Sequence, residues 1–210
     1  MKGSSFGYEQ LVSLLEDALS GAAPERVGAT LRLAIRGHEG QYRASRGNDA
    51  RVPYIVHPVG VARLAIEFFG SMPAGTADRD DIITAALAHD LLEDTRIGAE
   101  ELERVAGSVV RGYVEALTKE PAHMTGESQA SRNSALLEQI RKAGLPVVFL
   151  KACDSMHNLT HPQSTPESLL RKTIEKAETQ YLPLVREAGL PSAFPSLPMW
   201  VRQLGSNSLL

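Results

Sequence analysis

Apolar positions recur every three or four residues through most of the 210-residue chain, and no stretch sustains the alternation of a strand, so the sequence predicts an all-α fold. Leu11, Leu14, Leu15 and Ala18 form the stripe of a first helix bounded by Gly21 and Pro24. A second helix is expected over 25–38, with Val27, Leu31, Ala34 and Ile35 inward. Text over 40–52 is polar and broken by Gly47, Asn48 and Asp49, which reads as a loop. The next helix opens near His57, with Pro58 in its tolerated first turn and Val61, Leu64, Ala65 and Phe68 on one face. A connector follows over 70–77, and Asp78, Asp80 and Asp81 then supply an acidic start for the run IITAALAHDLLEDT, read as one helix. Short helices are expected near 99–105 and 108–117, a loop over 121–126, and a helix over 129–142 ending at Gly144. Pro146 opens the helix VVFLKACDSMHNL, and a long helix spans 166–187. These elements divide the chain into a domain over 1–190 and a tail over 191–210 that carries Pro191, Pro195 and Pro198.

Composition narrows the function classes. Apolar residues make up 43% and charged residues 22%, which fits a globular chain. Lys plus Arg is 22 against 25 Asp plus Glu, a net charge of −3 that does not favour nucleic-acid binding by a basic face. No apolar run approaches the roughly 18 residues of a membrane span, and Glu9, Glu16 and Asp17 fall where a signal peptide needs apolar text. The single cysteine, Cys153, excludes an intramolecular disulfide and a multi-cysteine zinc site and points to a reducing compartment, so the expected location is cytoplasmic. Charge is unevenly spread. Between Arg26 and Arg63 seven Arg face two acids, a balance of +5, whereas between Asp78 and Arg104 nine acids face three Arg, a balance of −6. The two segments either are ordinary solvated surfaces or face each other across a cleft, one side taking a cation and the other a phosphorylated ligand.

The candidate chemistry lies in polar residues that the apolar pattern does not want. His89 and Asp90 interrupt an apolar run, where such groups are costly unless paired or metal-bound. On a helix, Glu93 and Asp94 lie one turn beyond them, so ionisable groups crowd one end and require positive charge nearby. His57 and Asp154 are out of place in the same way, although Asp154 has a ready partner in Lys151. Together His57, His89, Asp90 and Asp154 offer two neutral imidazoles and two carboxylates, a set that balances one divalent ion and leaves positions for water or substrate. Mixed nitrogen and oxygen donors favour Mn²⁺ or Fe²⁺, with Zn²⁺, Co²⁺ and Mg²⁺ also open. His157 and His161 are candidates for groups that support such ligands, and Cys153 reads as a buried structural thiol.

His57, His89-Asp90 and Asp154 in this order resemble the HD-domain metal-dependent phosphohydrolases. The blocks HEGQYR, PYIVHPVGVA, AALAHDLLEDT, ALTK, LKACDSMHNL and YLP resemble, in order, the hydrolase domain of the RelA/SpoT homologues, as a stand-alone small alarmone hydrolase would. The resemblance implies a multi-helix HD-domain bundle with its metal site in a central cleft. It also implies Mn²⁺ on His57, His89, Asp90 and Asp154, and a catalytic acidic pair, Glu93 and Asp94, that positions and deprotonates the attacking water. Substrate contacts would come from Arg43 against the base and from Lys151, Asn158 and Tyr181. The implied reaction is hydrolysis of the 3′-pyrophosphate of (p)ppGpp to GDP or GTP and pyrophosphate. By family analogy, functional pairing with an alarmone synthetase follows. The chain departs from the family in its longer polar text over 44–52 and in Ser155, which stands where the family has an arginine. The alternatives are a related phosphohydrolase acting on NADPH or another 3′-phosphorylated nucleotide, and a module that binds an alarmone without turnover.

Overall fold

The computed structural model describes residues 25–43, 52–120, 126–159 and 166–190. The first helix expected near Leu11, most of the polar loop, His161 and the proline-bearing tail lie outside the described residues. Those described form an all-α bundle: α1 (Glu25–Gly37), α2 (Val56–Phe68), α3 (Arg79–Ala88), α4 (Leu91–Asp94), α5 (Ala99–Ala106), α6 (Ser108–Leu117), α7 (Gln129–Ala143), α8 (Leu145–Asn158), α9 (Glu167–Lys176) and α10 (Leu182–Glu187). The only pairing of extended backbone among them is an isolated antiparallel bridge between Tyr42 and Pro53, which brings the two ends of the polar loop together. None of the described helices is long and apolar enough to cross a membrane.

α3 is the centre of the bundle. Every residue from Ile82 to Ala88 is buried, so this part of the helix is enclosed all round rather than along one stripe. Its alanines let α1, α2, α6 and α8 close around it, and fully buried side chains such as Ile82, Ile83 and Leu87 contribute about 1.5–3 kcal/mol each. Asp78 caps this helix, its carboxylate accepting from Asp80 N at 2.8 Å and Asp81 N at 3.2 Å. Gly144, with φ +88°, makes the sharp turn from α7 into α8, where a side chain would strain the backbone.

The structure corrects two expectations. The run IITAALAHDLLEDT is not one helix: α3 ends at Ala88, His89 and Asp90 form a turn, and α4 resumes at Leu91. The expected helix over 166–187 is likewise interrupted, by a π turn over Ala177–Tyr181. Pro183 lies just beyond that turn and has no N–H to continue the α ladder, while Leu182 N–H reaches back five residues to Ala177 O. Of the two readings open for the arginine-rich segment, the described residues show Arg26 and Arg36 lying away from the cleft. Arg26 pairs with Asp81 at 2.6 Å and Asp78 at 3.9 Å, and Arg36 pairs with Glu101, so these cations tie α1 to its acidic neighbours.

Candidate active site

A cleft of about 390 Å³ opens where the His89-Asp90 turn meets α2 and α8. All ten residues expected as metal ligands, acidic pair and substrate contacts line it: Arg43, His57, His89, Asp90, Glu93, Asp94, Lys151, Asp154, Asn158 and Tyr181. Elements far apart in the chain supply them. His57 comes from the first turn of α2, where Pro58 is tolerated, and Asp154 from the middle of α8. The break after α3 falls at His89 and Asp90, whose side chains meet those two.

At the floor of the cleft the imidazoles and carboxylates converge. His57 Nε2 lies 3.3 Å from His89 Nε2, 3.1 Å from Asp154 Oδ1 and 3.6 Å from Asp90 Oδ2. His89 Nε2 is 3.0 Å from Asp90 Oδ2 and 3.9 Å from Asp154 Oδ1. His57, His89 and Asp90 each offer a ligand atom within 4.8 Å of the others, as a metal site requires. His89 Nδ1 donates to Ala86 O at 2.8 Å, which leaves the lone pair of the neutral ring on Nε2, facing the other donors.

The electrostatics of this floor fit a cation. Burial alone would lower His89, but the carboxylate of Asp90 outweighs it and raises the imidazole to about 9. Burial lowers His57, with Asp154 opposing. Burial would raise both acids, yet His89 holds Asp90 below the usual carboxylate range, and Lys151 with His57 holds Asp154 well below it. Two largely enclosed carboxylates thus keep a proton on an imidazole beside them, and a divalent ion would satisfy the same demand with nitrogen and oxygen ligands together.

Around the floor, further contacts hold the acids in place. Asp154 Oδ2 accepts from Lys151 Nζ at 2.7 Å, and Oδ1 accepts from Asn158 Nδ2 at 2.7 Å. Asn158 Oδ1 in turn accepts from Arg43 Nη2 at 3.0 Å, and Lys151 Nζ sits 5.0 Å from the centre of the Tyr181 ring. The pairing of Asp154 with Lys151 and its place beside the imidazoles are therefore not rivals, because different oxygens serve each. Glu93 accepts from Lys119 N at 3.2 Å. Water can reach Glu93 and Asp94 from the cleft, yet enough protein surrounds them that desolvation raises both carboxyls.

Sequence reasoning missed several lining groups. Tyr54 donates to Asp90 Oδ2 at 2.6 Å and lies 3.3 Å from Asp94 Oδ2, joining the two acidic sets. Its position three residues before His57 in PYIVHP, one helical turn away, was the available signal. Lys119 and Lys176 also line the cleft, whereas only Arg43 of the described residues in the arginine-rich segment does so. Gln41 donates to Asp94 O at 2.7 Å and receives His38 Nδ1 at 2.8 Å, which ties HEGQYR to the end of α4. His38 is buried behind the cleft rather than lining it.

Comparison with known families places this arrangement, since the HD domain matches over residues 31–190. The chain belongs to the HD domain family. Among relatives of this HD domain, a GTP pyrophosphokinase of Streptomyces coelicolor is 27% identical over 185 residues, covering 87% of this chain and 21% of its own. A guanosine-3′,5′-bis(diphosphate) 3′-pyrophosphohydrolase of Haemophilus influenzae is 29% identical over 164 residues, covering 75% of this chain and 22% of its own. The chain thus spans about a fifth of the length of these curated relatives. The solved structure of a metazoan ortholog of SpoT that hydrolyses ppGpp shares the HD-domain fold, with a TM-score of 0.58 at 21% identity over 80% of this chain and 98% of that one.

Proposed function

We propose that the chain hydrolyses the 3′-pyrophosphate of (p)ppGpp, releasing GDP or GTP and pyrophosphate. The observation that carries this reading is a single cleft in which the His57, His89, Asp90 and Asp154 cluster adjoins a separate acidic pair, Glu93 and Asp94. Relatives named as 3′-pyrophosphohydrolases support the choice of substrate.

In this reading His57, His89, Asp90 and Asp154 hold one divalent ion; the mixed donors suit Mn²⁺ or Fe²⁺, the family resemblance selects Mn²⁺, and Co²⁺, Zn²⁺ and Mg²⁺ are the alternatives. When bound, the ion supplies Lewis-acid withdrawal of charge from phosphoryl oxygens and makes nearby water more acidic. Glu93 or Asp94 takes a proton from water as its oxygen attacks phosphorus. The bond from phosphorus to the ribose 3′-oxygen breaks, and that oxygen leaves to be protonated as a hydroxyl. Partial desolvation serves the acidic pair here, because a carboxylate whose pKa is raised is a better proton acceptor than an ordinary one. Lys151 and Asn158 keep the Asp154 oxygens oriented, Tyr54 does the same for Asp90, and Arg43 and Tyr181 line the space for the nucleotide. A cytoplasmic setting and functional pairing with an alarmone synthetase accompany this reading.

The test is incubation of metal-free protein with ppGpp, with and without Mn²⁺, followed by separation of the nucleotides. GDP and pyrophosphate formed only with the ion are the expected result. Intact ppGpp alongside cleavage of NADPH would overturn the substrate, and binding without turnover would overturn the enzyme.

A further inference from the structure

His157 lies on α8, three residues beyond Asp154, and is buried. Its Nδ1 stands 2.9 Å from His57 Nδ1, with the ring centres 4.9 Å apart. That approach depends on residue 60, about one turn after His57 on α2. A Cβ at Gly60 would fall 1.9 Å from His157 Nε2 and 2.1 Å from Cδ2. Gly60 sits inside the regular helix, so it meets no need for unusual backbone. Glycine within a helix is a cost, and here the cost is offset by what the missing Cβ admits.

The consequence concerns which nitrogen of His57 carries its proton. His57 Nε2 is 3.1 Å from Asp154 Oδ1, a contact that favours a proton on Nε2 and so the tautomer that cannot bind a cation. An acceptor at Nδ1 favours the opposite tautomer and turns the Nε2 lone pair toward His89 and Asp90. His89 has the Ala86 carbonyl for this purpose, which can only accept. His57 has an imidazole, which can accept or donate and therefore suits either tautomer. We propose that His157 is a positioning residue for His57, admitted by Gly60, that accepts the Nδ1 proton of His57 and so readies Nε2 to bind a divalent cation. The proposal rests on His57 being a metal ligand.

The experiment is calorimetric titration of Mn²⁺ into metal-free wild type, His157→Ala, His157→Gln, Gly60→Ala and the Gly60→Ala/His157→Ala double variant, with thermal melts of each metal-free protein. His157→Ala and Gly60→Ala should each weaken Mn²⁺ binding by about tenfold or more, the usual range for loss of a group supporting a ligand. The double variant should be no weaker than His157→Ala, because the ring that the added methyl group would strike is gone. His157→Gln, whose amide oxygen can accept a hydrogen bond, should recover part of the affinity. Unchanged Mn²⁺ affinity in His157→Ala, with only its melting temperature lowered, would overturn the proposal, as would independent, multiplying losses in the double variant. Wild type that binds no Mn²⁺ would instead overturn the metal reading beneath it.

Discussion

Asp90 and Asp154 share a cleft with Glu93 and Asp94, yet their surroundings push the two pairs in opposite directions. The first pair is the more deeply enclosed and is held ionised by His89 and Lys151. The second is open to the cleft, lacks a cation of comparable strength and is raised by desolvation. Depth of burial alone would predict the reverse. What decides is whether burial brings a compensating charge with it, and the same residue type consequently suits two tasks: a permanent anion that holds a cation, and a base that accepts a proton.

Substitutions at the two pairs should therefore fail differently. The largest effect is expected at the floor: Asp90→Ala or His89→Ala should lose both Mn²⁺ binding, followed by metal content after dialysis, and ppGpp turnover. Glu93→Gln should lower kcat by about 10²–10⁴-fold, the usual contribution of a general base, while leaving metal content intact. If Glu93→Gln also empties the site of metal, the division between the pairs is wrong. Tyr54→Phe, which removes the one group touching both sets, should cost a smaller factor, about tenfold in kcat for a hydrogen bond to a charged group.

The pH dependence sharpens the same contrast. The base must be ionised, so the rate should fall as pH drops through the raised carboxyl of the acidic pair, giving an acid limb above the ordinary value of 4.5. In stability the sign is opposite. A carboxyl raised in the folded state favours folding while it is protonated, and that contribution is lost as pH rises through its folded value. Glu93→Gln should accordingly melt slightly higher than wild type at pH 8 in the absence of metal, by differential scanning calorimetry.

Much of this organisation was legible because it depends on residue types misplaced in a period. His57 and Asp154 stood out from their stripes, and α6, α7 and α8 carried clear stripes and stops. The break at His89-Asp90 was not legible, since the apolar text runs straight through it and the backbone of both residues stays near helical. Tyr54 was hidden for a related reason: a tyrosine at a helix entrance looks like packing until two carboxylates from another segment arrive beside it. The arginines left two readings open because net charge over a segment does not say which neighbour each side chain meets. Arg26 and Arg36 found acids on adjoining helices, and the lysines lining the cleft, Lys119, Lys151 and Lys176, came from distant parts of the chain.

The π turn over Ala177–Tyr181 gives the far wall of the cleft a sensitivity to length rather than to chemistry. Such a turn holds more residues than an α turn, and each residue of an α-helix advances the direction of its side chain by about 100°. Deleting a single residue within it would let the α ladder close. Five residues of a π turn cover about the angle that four residues of an α-helix cover, so α9 and α10 would keep their phase, and what would move is the aromatic ring inside the turn, now 5.0 Å from Lys151.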